Sequence, residues 1–261
     1  MNFSAISDYE CHGRHLHIAL VNRNKNKLTL QVDDDVLDVG CGTGVETKSI
    51  AAEVKSVTGI DSSKEMIAFA RANNSAPNVT YSLGDAQTIG DCSEWQERFD
   101  KAVSFFVLHW CPDHAMALRS ILACLKPGGE ALFIVCNRSS WVPESVQFVQ
   151  NHIKWSTYGK DFKSSCQFWN MSVSEAEKLL ASCGWKNVRC ELQHHGQITE
   201  EPTKAMIKSG LGISAQIPES EMEEYLRDMW QWTLSQYGDS SKPGHVRIPA
   251  EIFIIQACKS C

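Results

Sequence analysis

The stretch of sequence that decides the fold is VLDVGCGTG, which occupies residues 36–44. It opens as a short, mostly apolar run of the kind that forms a buried strand. Three alternate glycines follow, ahead of a helical pattern: Gly40, Gly42 and Gly44. Glycine tolerates a positive φ and carries no Cβ, so a ligand can lie directly against the backbone of such a loop. The stretch therefore predicts a strand, a ligand-binding turn and a helix.

The spacing of these glycines argues against a dinucleotide as the ligand. A dinucleotide site uses the pattern G-x-G-x-x-G, with the pyrophosphate on the helix N-terminus. Here the third glycine comes one residue earlier, and Asp38 precedes the loop with a negative charge. A ligand with a cationic amino group and no phosphate suits this loop better, because Asp38 can lie near the ammonium. S-adenosylmethionine has those properties.

Acidic residues also follow the next two predicted strands. Asp61 ends the second, where an acidic side chain accepts hydrogen bonds from both hydroxyls of a ribose. Asp85 follows the third and could accept from an adenine amino group. Each acid taken alone is more often a cap or turn residue, but together with the glycine loop they indicate a binding site. The predicted cofactor contacts are Asp38, Gly40, Gly42, Asp61, Ser62, Asp85, Ala86 and Ser104.

The pattern around this loop is that of a doubly wound α/β fold. Five short apolar runs alternate with helical patterns, as in a βαβ series with a parallel sheet; they lie at residues 36–39, 57–60, 79–83, 102–106 and 131–135. This cofactor-binding core covers residues 34–136. Further along, the pattern predicts a helix at 174–182, a strand at 188–192 and a closing strand at 246–257.

Two segments interrupt the pattern, at residues 137–170 and 196–242. We interpret them as helical lid insertions over the open end of the sheet, on the acceptor side. The first is rich in aromatic side chains, which could line a ligand cavity or anchor the insertion to the core. No repeat and no linker-like run divides the chain, so we predict one domain over residues 1–261.

Composition excludes several classes of protein. The 261 residues include 25 Lys and Arg against 31 Asp and Glu, a formal net charge of -6. No basic field invites nucleic acid or an anionic membrane. Eleven cysteines are scattered rather than spaced as a zinc site or a disulfide framework. We therefore expect no metal, reduced thiols, a cytoplasmic location without a signal peptide or membrane span, and a monomer or homodimer.

Four motifs in order along the chain carry a family resemblance: LDVGCGTG at 37–44, GIDSS at 59–63, GDA at 84–86 and LKPGG at 125–129. They resemble the class I S-adenosylmethionine-dependent methyltransferases. The resemblance implies a Rossmann-like, seven-stranded, mostly parallel sheet whose last strand is antiparallel. It also implies S-adenosylmethionine as the cofactor.

A finer resemblance concerns residues 104–110, SFFVLHW, and residues 112–114, PDH. They are similar to juvenile hormone acid methyltransferases and, more distantly, to trans-aconitate methyltransferase, families that esterify carboxylates. In the hormone family an aromatic residue and a glutamine near the N-terminus face the acceptor, and Trp110 matches the aromatic. The glutamine is missing, and residues 11–17 read CHGRHLH, so His15, or else His12 or His17, is the expected replacement.

Three hypotheses about the acceptor remain open. A carboxylate is already ionised at neutral pH and needs alignment rather than a base, so a small apolar acid such as farnesoic or juvenile hormone acid could be methylated with Trp110, His109 and His15 at the site. A hydroxyl or amine would need a base, and the candidates are His109, His114, His194 and His195. The third hypothesis is a non-catalytic cofactor-binding scaffold.

Overall fold

The computed structural model describes residues 14–194 and 197–261, and for residues 15 and 16 the backbone alone. Within these ranges seven strands form one mixed, mostly parallel sheet in the order β3-β2-β1-β4-β5-β7-β6. The strands are β1 Asp35–Val39, β2 Ser56–Asp61, β3 Val79–Leu83, β4 Phe99–Phe105, β5 Leu125–Ser139, β6 Lys186–His194 and β7 Ala250–Cys258. All pairs among β1 to β5 are parallel. The predicted fold class is confirmed.

Nine helices accompany the sheet in the described ranges: α1 His15–Asn24, α2 Val45–Ala51, α3 Lys64–Asn73, α4 His114–Cys124, α5 Trp141–Asn151, α6 Ser156–Gly159, α7 Val173–Ser182, α8 Glu200–Gly210 and α9 Met222–Tyr237. Three of these helices, α3, α4 and α7, begin with a side-chain cap. Ser63, Asp113 and Ser172 each accept a backbone N–H of the first turn. None of the described helices combines the length and apolarity that crossing a membrane requires.

Most predicted strand boundaries differ from the structure by one residue or more, and the starts of β5 and β7 are among the largest differences. β5 begins at Leu125 rather than 131, because α4 ends at Cys124 and the chain enters the sheet at once. Gly128, with φ of 78°, lies in this irregular start. The closing strand begins at Ala250 rather than 246. Val246 pairs instead with Ile198 and is fully buried, so it belongs to the second insertion.

The described backbone forms two compact units. The sheet unit comprises Val21–Asn137, Gln167–Gln193 and Ile252–Cys261. The insertion unit comprises Arg138–Cys166 and His194–Glu251, with the described residues before Val21. Each unit has a hydrophobic core of its own. That the chain acts as one domain, and that the insertions cover the sheet as lids, stay predictions.

The insertion unit shows what most of the aromatic residues of 137–170 do. Trp141 and Trp155 are buried in its core, and residues of α9 from the other insertion, Tyr225, Met229 and Trp230, pack into the same core. The two insertions, distant in sequence, therefore share one apolar core. For Trp141 and Trp155 the structure favours anchoring over the lining of a ligand cavity.

Candidate active site

An open cleft lies at the carboxyl ends of the four neighbouring strands β1 to β4 in the sheet unit. Its lining comes from the last residues of the strands and from the turns that follow them, as expected for a doubly wound sheet. The lining residues are Gly40, Ile60, Asp61, Ser62, Gly84, Asp85, Ala86, Gln87, Val107, Trp110, Cys111 and Pro112. Five of the eight predicted cofactor contacts are thus brought together: Gly40, Asp61, Ser62, Asp85 and Ala86.

Each glycine of the loop is required for a different reason, although all three have positive φ. At Gly40 a Cβ would meet Val107 Cγ2 at 2.2 Å, so this glycine makes room for the turn after β4. At Gly44 a Cβ would meet the Tyr81 hydroxyl at 2.3 Å. At Gly42 a Cβ would meet nothing within 4 Å, so the bare backbone there faces open space. The backbone at Gly42 therefore borders free space, although Gly42 is not among the residues that line the cleft.

Asp61 is held in place by the backbone on both sides of it. Its Oδ2 accepts the Gly42 N–H at 3.0 Å, and its Oδ1 accepts the Ser63 N–H at 2.8 Å. Each oxygen retains a further lone pair. Burial raises the pKa of the Asp61 carboxyl, and the backbone N–H donors oppose that rise. The result is an oriented carboxylate in the cleft wall that can accept hydrogen bonds from a ligand.

The loop after β3 forms the next part of the wall. Asp85 is exposed, and its Oδ1 accepts the Gln87 N–H at 2.9 Å. The Gln87 side chain accepts the Asp113 N–H through Oε1, also at 2.9 Å. This second bond ties the β3 loop to the start of α4, on the other side of the cleft. Ala86, which lies between Asp85 and Gln87 in the sequence, is buried.

Asp38 and Ser104 are placed outside the cleft lining. Asp38 is buried, and its Oδ2 accepts the Thr47 hydroxyl at 2.6 Å, which joins β1 to α2. Ser104 is fully buried in β4, and its hydroxyl has no hydrogen-bond partner among the described residues. Neither residue lines the cleft, and Asp38 connects the strand before the glycine loop to the helix after it. Their contact with a ligand stays a prediction.

Trp110 and its neighbour His109 have opposite environments. Trp110 is 44% exposed and lines the cleft, whereas His109 is buried behind it. Burial lowers the pKa of His109 to about 3, so the ring is neutral at neutral pH. Its Nδ1 accepts the Cys136 N–H, and the ring stacks on Phe168. His109 thus supports the Trp110 turn from behind and is poorly suited to act as a base.

The other candidate histidines lie outside the described residues or away from the cleft lining. His12 and His195 lie outside the described residues, as does the side chain of His15. His114 donates from Nε2 to the Gln167 carbonyl at 3.0 Å, and burial lowers its pKa. His194 lies at the end of β6, in the insertion unit.

The sequence did not single out several residues of the cleft: Gln87, Val107, Cys111 and Pro112. Gln87 follows the Asp85 motif, and Val107 and Pro112 lie within the stretches 104–110 and 112–114, but the sequence assigned none of the three a role. Val107 matters because its side chain lies close to Gly40, and the spacing of residues along the chain does not reveal this contact. Burial raises the pKa of the Cys111 thiol to about 11, so this cysteine is a packing residue rather than a nucleophile.

Comparison with known families gives a match to the methyltransferase domain over residues 36–129. This range coincides closely with the predicted core at 34–136. A ubiquinone biosynthesis O-methyltransferase of Pseudomonas fluorescens (strain Pf0-1) is 34% identical over 106 residues, 40% of this chain and 45% of that protein. The chain spans less than half the length of the curated relatives it matches.

Solved structures resemble the chain over nearly its whole length. The YcgJ protein of Bacillus subtilis has a TM-score of 0.63 and 15% identity, over 95% of this chain and 99% of that one. Phosphoethanolamine N-methyltransferase 2 of Haemonchus contortus, in complex with phosphomonomethylethanolamine and S-adenosylhomocysteine, has a TM-score of 0.61 and 17% identity, over 98% of this chain and 57% of that one. At such identities the likeness concerns the fold.

Proposed function

We propose that this chain is an S-adenosylmethionine-dependent methyltransferase and that its acceptor is the carboxylate of a small apolar acid. One observation carries the proposal. An oriented carboxylate, that of Asp61, lies in the cleft wall and is bonded to the Gly42 N–H, at the loop position where the backbone faces open space. The match of residues 36–129 to the methyltransferase domain supports the same function.

The residues present fit the cofactor. Asp61 would accept from the ribose hydroxyls, and Asp85, exposed in the same cleft, would accept from the adenine amino group. The bare backbone at Gly42 leaves room for the chain between sugar and amino acid. When bound, S-adenosylmethionine supplies an electrophilic methyl group on a sulfonium. The phosphoethanolamine enzyme of similar fold is described in complex with S-adenosylhomocysteine, which supports this cofactor here.

The acceptor side favours a group that is already ionised. Methyl transfer needs the attacking oxygen in line with the methyl at about 3 to 3.5 Å, which is a matter of alignment. The histidine next to the cleft, His109, is buried and neutral, while the exposed Trp110 offers an apolar surface and an N–H donor. A carboxylate attached to an apolar body matches these properties without a base. Farnesoic and juvenile hormone acids have this chemistry.

A hydroxyl acceptor is the second candidate, because curated relatives that match the chain over 106 residues are named ubiquinone biosynthesis O-methyltransferases. A hydroxyl needs a base. His114 could serve, since its Nε2 donates to Gln167 and its basic nitrogen is therefore Nδ1. The proposal also includes a small molecule as the partner, a cytoplasmic site of action and a monomeric or homodimeric state.

The test is an assay with S-adenosylmethionine labelled in the methyl group. The purified chain is incubated with farnesoic acid, juvenile hormone acid and a catechol, and the products are separated and treated with alkali. A labelled methyl ester, which alkali cleaves, is the expected result. A labelled ether that resists alkali favours the hydroxyl acceptor. Cofactor binding without transfer to any acceptor contradicts both and favours a scaffold.

A further inference from the structure

A side chain outside the glycine loop is hydrogen-bonded into it. The Asn74 amide donates from Nδ2 to the Thr43 carbonyl at 2.9 Å. The N–H of the same peptide group belongs to Gly44 and donates to the Cys41 carbonyl, also at 2.9 Å. The peptide group between Thr43 and Gly44 is therefore held at both ends, by Asn74 on one side and by the loop itself on the other.

The next peptide group carries this connection to the cleft. The Cys41 carbonyl shares its peptide group with the Gly42 N–H, which donates to Asp61 Oδ2 at 3.0 Å. Asn74 is thus linked to the Asp61 carboxylate by three consecutive hydrogen bonds through two peptide groups. Hydrogen bonds in such a chain polarise one another, so losing the first donor weakens the last bond.

Asn74 is itself fixed from two directions. It caps α3, where its backbone N–H donates to the Ala70 carbonyl at 2.8 Å. Its carbonyl accepts from the Tyr81 hydroxyl at 2.8 Å, and that hydroxyl also lies 3.1 Å from the Gly44 carbonyl. Tyr81 is buried, so water does not compete for these bonds. These bonds hold the backbone of Asn74 in the position from which its side chain reaches Thr43.

We propose that Asn74 is a positioning residue for cofactor binding, which acts on the Asp61 carboxylate through the glycine loop. The inference rests on the proposed function, where Asp61 accepts from the ribose. Asn74 lies outside the cleft lining. Its loss should therefore weaken cofactor binding by releasing Asp61, not by removing a contact to the ligand.

The experiment compares Asn74→Ala with a matched variant, Asn73→Ala, by calorimetric titration with S-adenosylhomocysteine. Asn73 precedes Asn74 and also donates from Nδ2 to a backbone carbonyl, that of Phe69 at 3.0 Å, but it has no bond to the loop. Asn74→Ala should raise the Kd about 3- to 30-fold, and Asn73→Ala should leave it unchanged. Asn74→Asp keeps the side-chain shape without the donor, so it should behave like Asn74→Ala. An unchanged Kd in both Asn74 variants, or an equal rise in Asn73→Ala, overturns the inference.

A double-mutant cycle separates this role from a general loss of stability. In an Asp61→Ala background the chain of bonds has no end point, so Asn74→Ala should raise the Kd no further. Additive losses mean that Asn74 acts independently of Asp61 and overturn the inference. A wild-type chain that binds no S-adenosylhomocysteine overturns the proposed function as well, whereas a wild-type chain that binds, with additive losses, overturns the inference alone.

Discussion

Burial raises the pKa of the Asp61 carboxyl, while the N–H groups of Ser63 and Gly42 favour its charged form. The backbone has thus already oriented a carboxylate that is costly to bury. A ligand with two adjacent hydroxyl groups can use its remaining lone pairs without any rearrangement of the loop. Preorganisation of this kind lowers the free-energy cost of ordering the side chain when a ligand binds.

At the residue scale we therefore expect Asp61→Ala to lose about 1.5 to 3 kcal/mol of S-adenosylhomocysteine binding, because charge-assisted hydrogen bonds to the ribose disappear. Isothermal titration calorimetry measures the change. Glu65→Ala is the control, since Glu65 is an exposed acid at the start of α3 that lies outside the cleft lining. If Asp61→Ala binds S-adenosylhomocysteine as tightly as the wild type does, Asp61 does not contact the ligand.

His109 leads to a prediction about stability and pH. Its folded-state pKa is lowered to about 3 by burial, below the ordinary 6.5, so the unfolded chain binds the proton first. Its contribution to stability is complete above pH 6.5 and is lost progressively as the pH falls towards 3. From about pH 7.5 to about 5.5, the wild type should lose about 1.4 kcal/mol more than His109→Phe, which keeps a ring but cannot titrate. Urea unfolding at both pH values measures this, and parallel losses would mean that His109 takes up its proton in the folded state.

At the scale of elements, the glycine loop illustrates how one motif serves packing and binding together. Phe106 has a positive φ of 60° at the end of β4, an uncommon conformation for an aromatic residue. The turn continues into Val107, whose side chain occupies the space that a Cβ on Gly40 would need. The β4 turn and the loop after β1 are therefore fitted to each other, and both line the cleft.

Gly40→Ala should accordingly be more destabilising than Gly42→Ala. Both variants place a Cβ at positive φ, at a cost of about 1 to 2 kcal/mol. Gly40→Ala adds overpacking against Val107, about 1 to 3 kcal/mol more. The free energy of unfolding measured in urea checks the order.

Combining Gly40→Ala with Val107→Ala should recover part of the loss, because the overlap with both Val107 methyl groups is removed and only the Val107 Cβ, at 2.8 Å, remains close. Gly42→Ala should gain nothing from Val107→Ala. If Gly40→Ala and Gly42→Ala cost the same, the close approach of Val107 does not determine the choice of glycine.

At the scale of the whole molecule, the sheet unit and the insertion unit contain different features. Every residue that lines the cleft belongs to the sheet unit. The insertion unit has its own apolar core, in which Trp155 is fully buried and donates from Nε1 to Asp228 Oδ2 at 3.0 Å. The residues that line the cleft and the residues that form the core of the insertion unit are therefore different side chains.

Trp155→Ala should therefore destabilise the protein by about 3 to 5 kcal/mol but leave the Kd for S-adenosylhomocysteine unchanged under conditions where the variant is folded. Urea unfolding and calorimetry on the same preparation measure the two quantities. Trp155→Phe serves as the milder variant, which keeps an aromatic ring and loses the bond to Asp228. A large rise in Kd for the milder variant would show that the insertion unit takes part in holding the cofactor.

Short stretches of the amino-acid sequence determine much of this architecture. The strand, glycine loop and helix at residues 36–44 follow from side-chain pattern and glycine spacing, and acids after β2 and β3 reach one cleft because parallel strands end at the same edge. These features depend on neighbours along the chain or on the period of an element. The fold class, and the meeting of five of the candidate residues in one cleft, can therefore be predicted from the amino-acid sequence alone.

Contacts between distant segments decided the rest. Three contacts join elements that the sequence separates: the stacking of His109 on Phe168, the approach of Val107 to Gly40 and the bond from Asn74 to Thr43. Val246 joined the insertion core instead of the closing strand for the same reason. A pattern along the chain states which side chains prefer to be buried, but only packing in three dimensions determines which partner buries them.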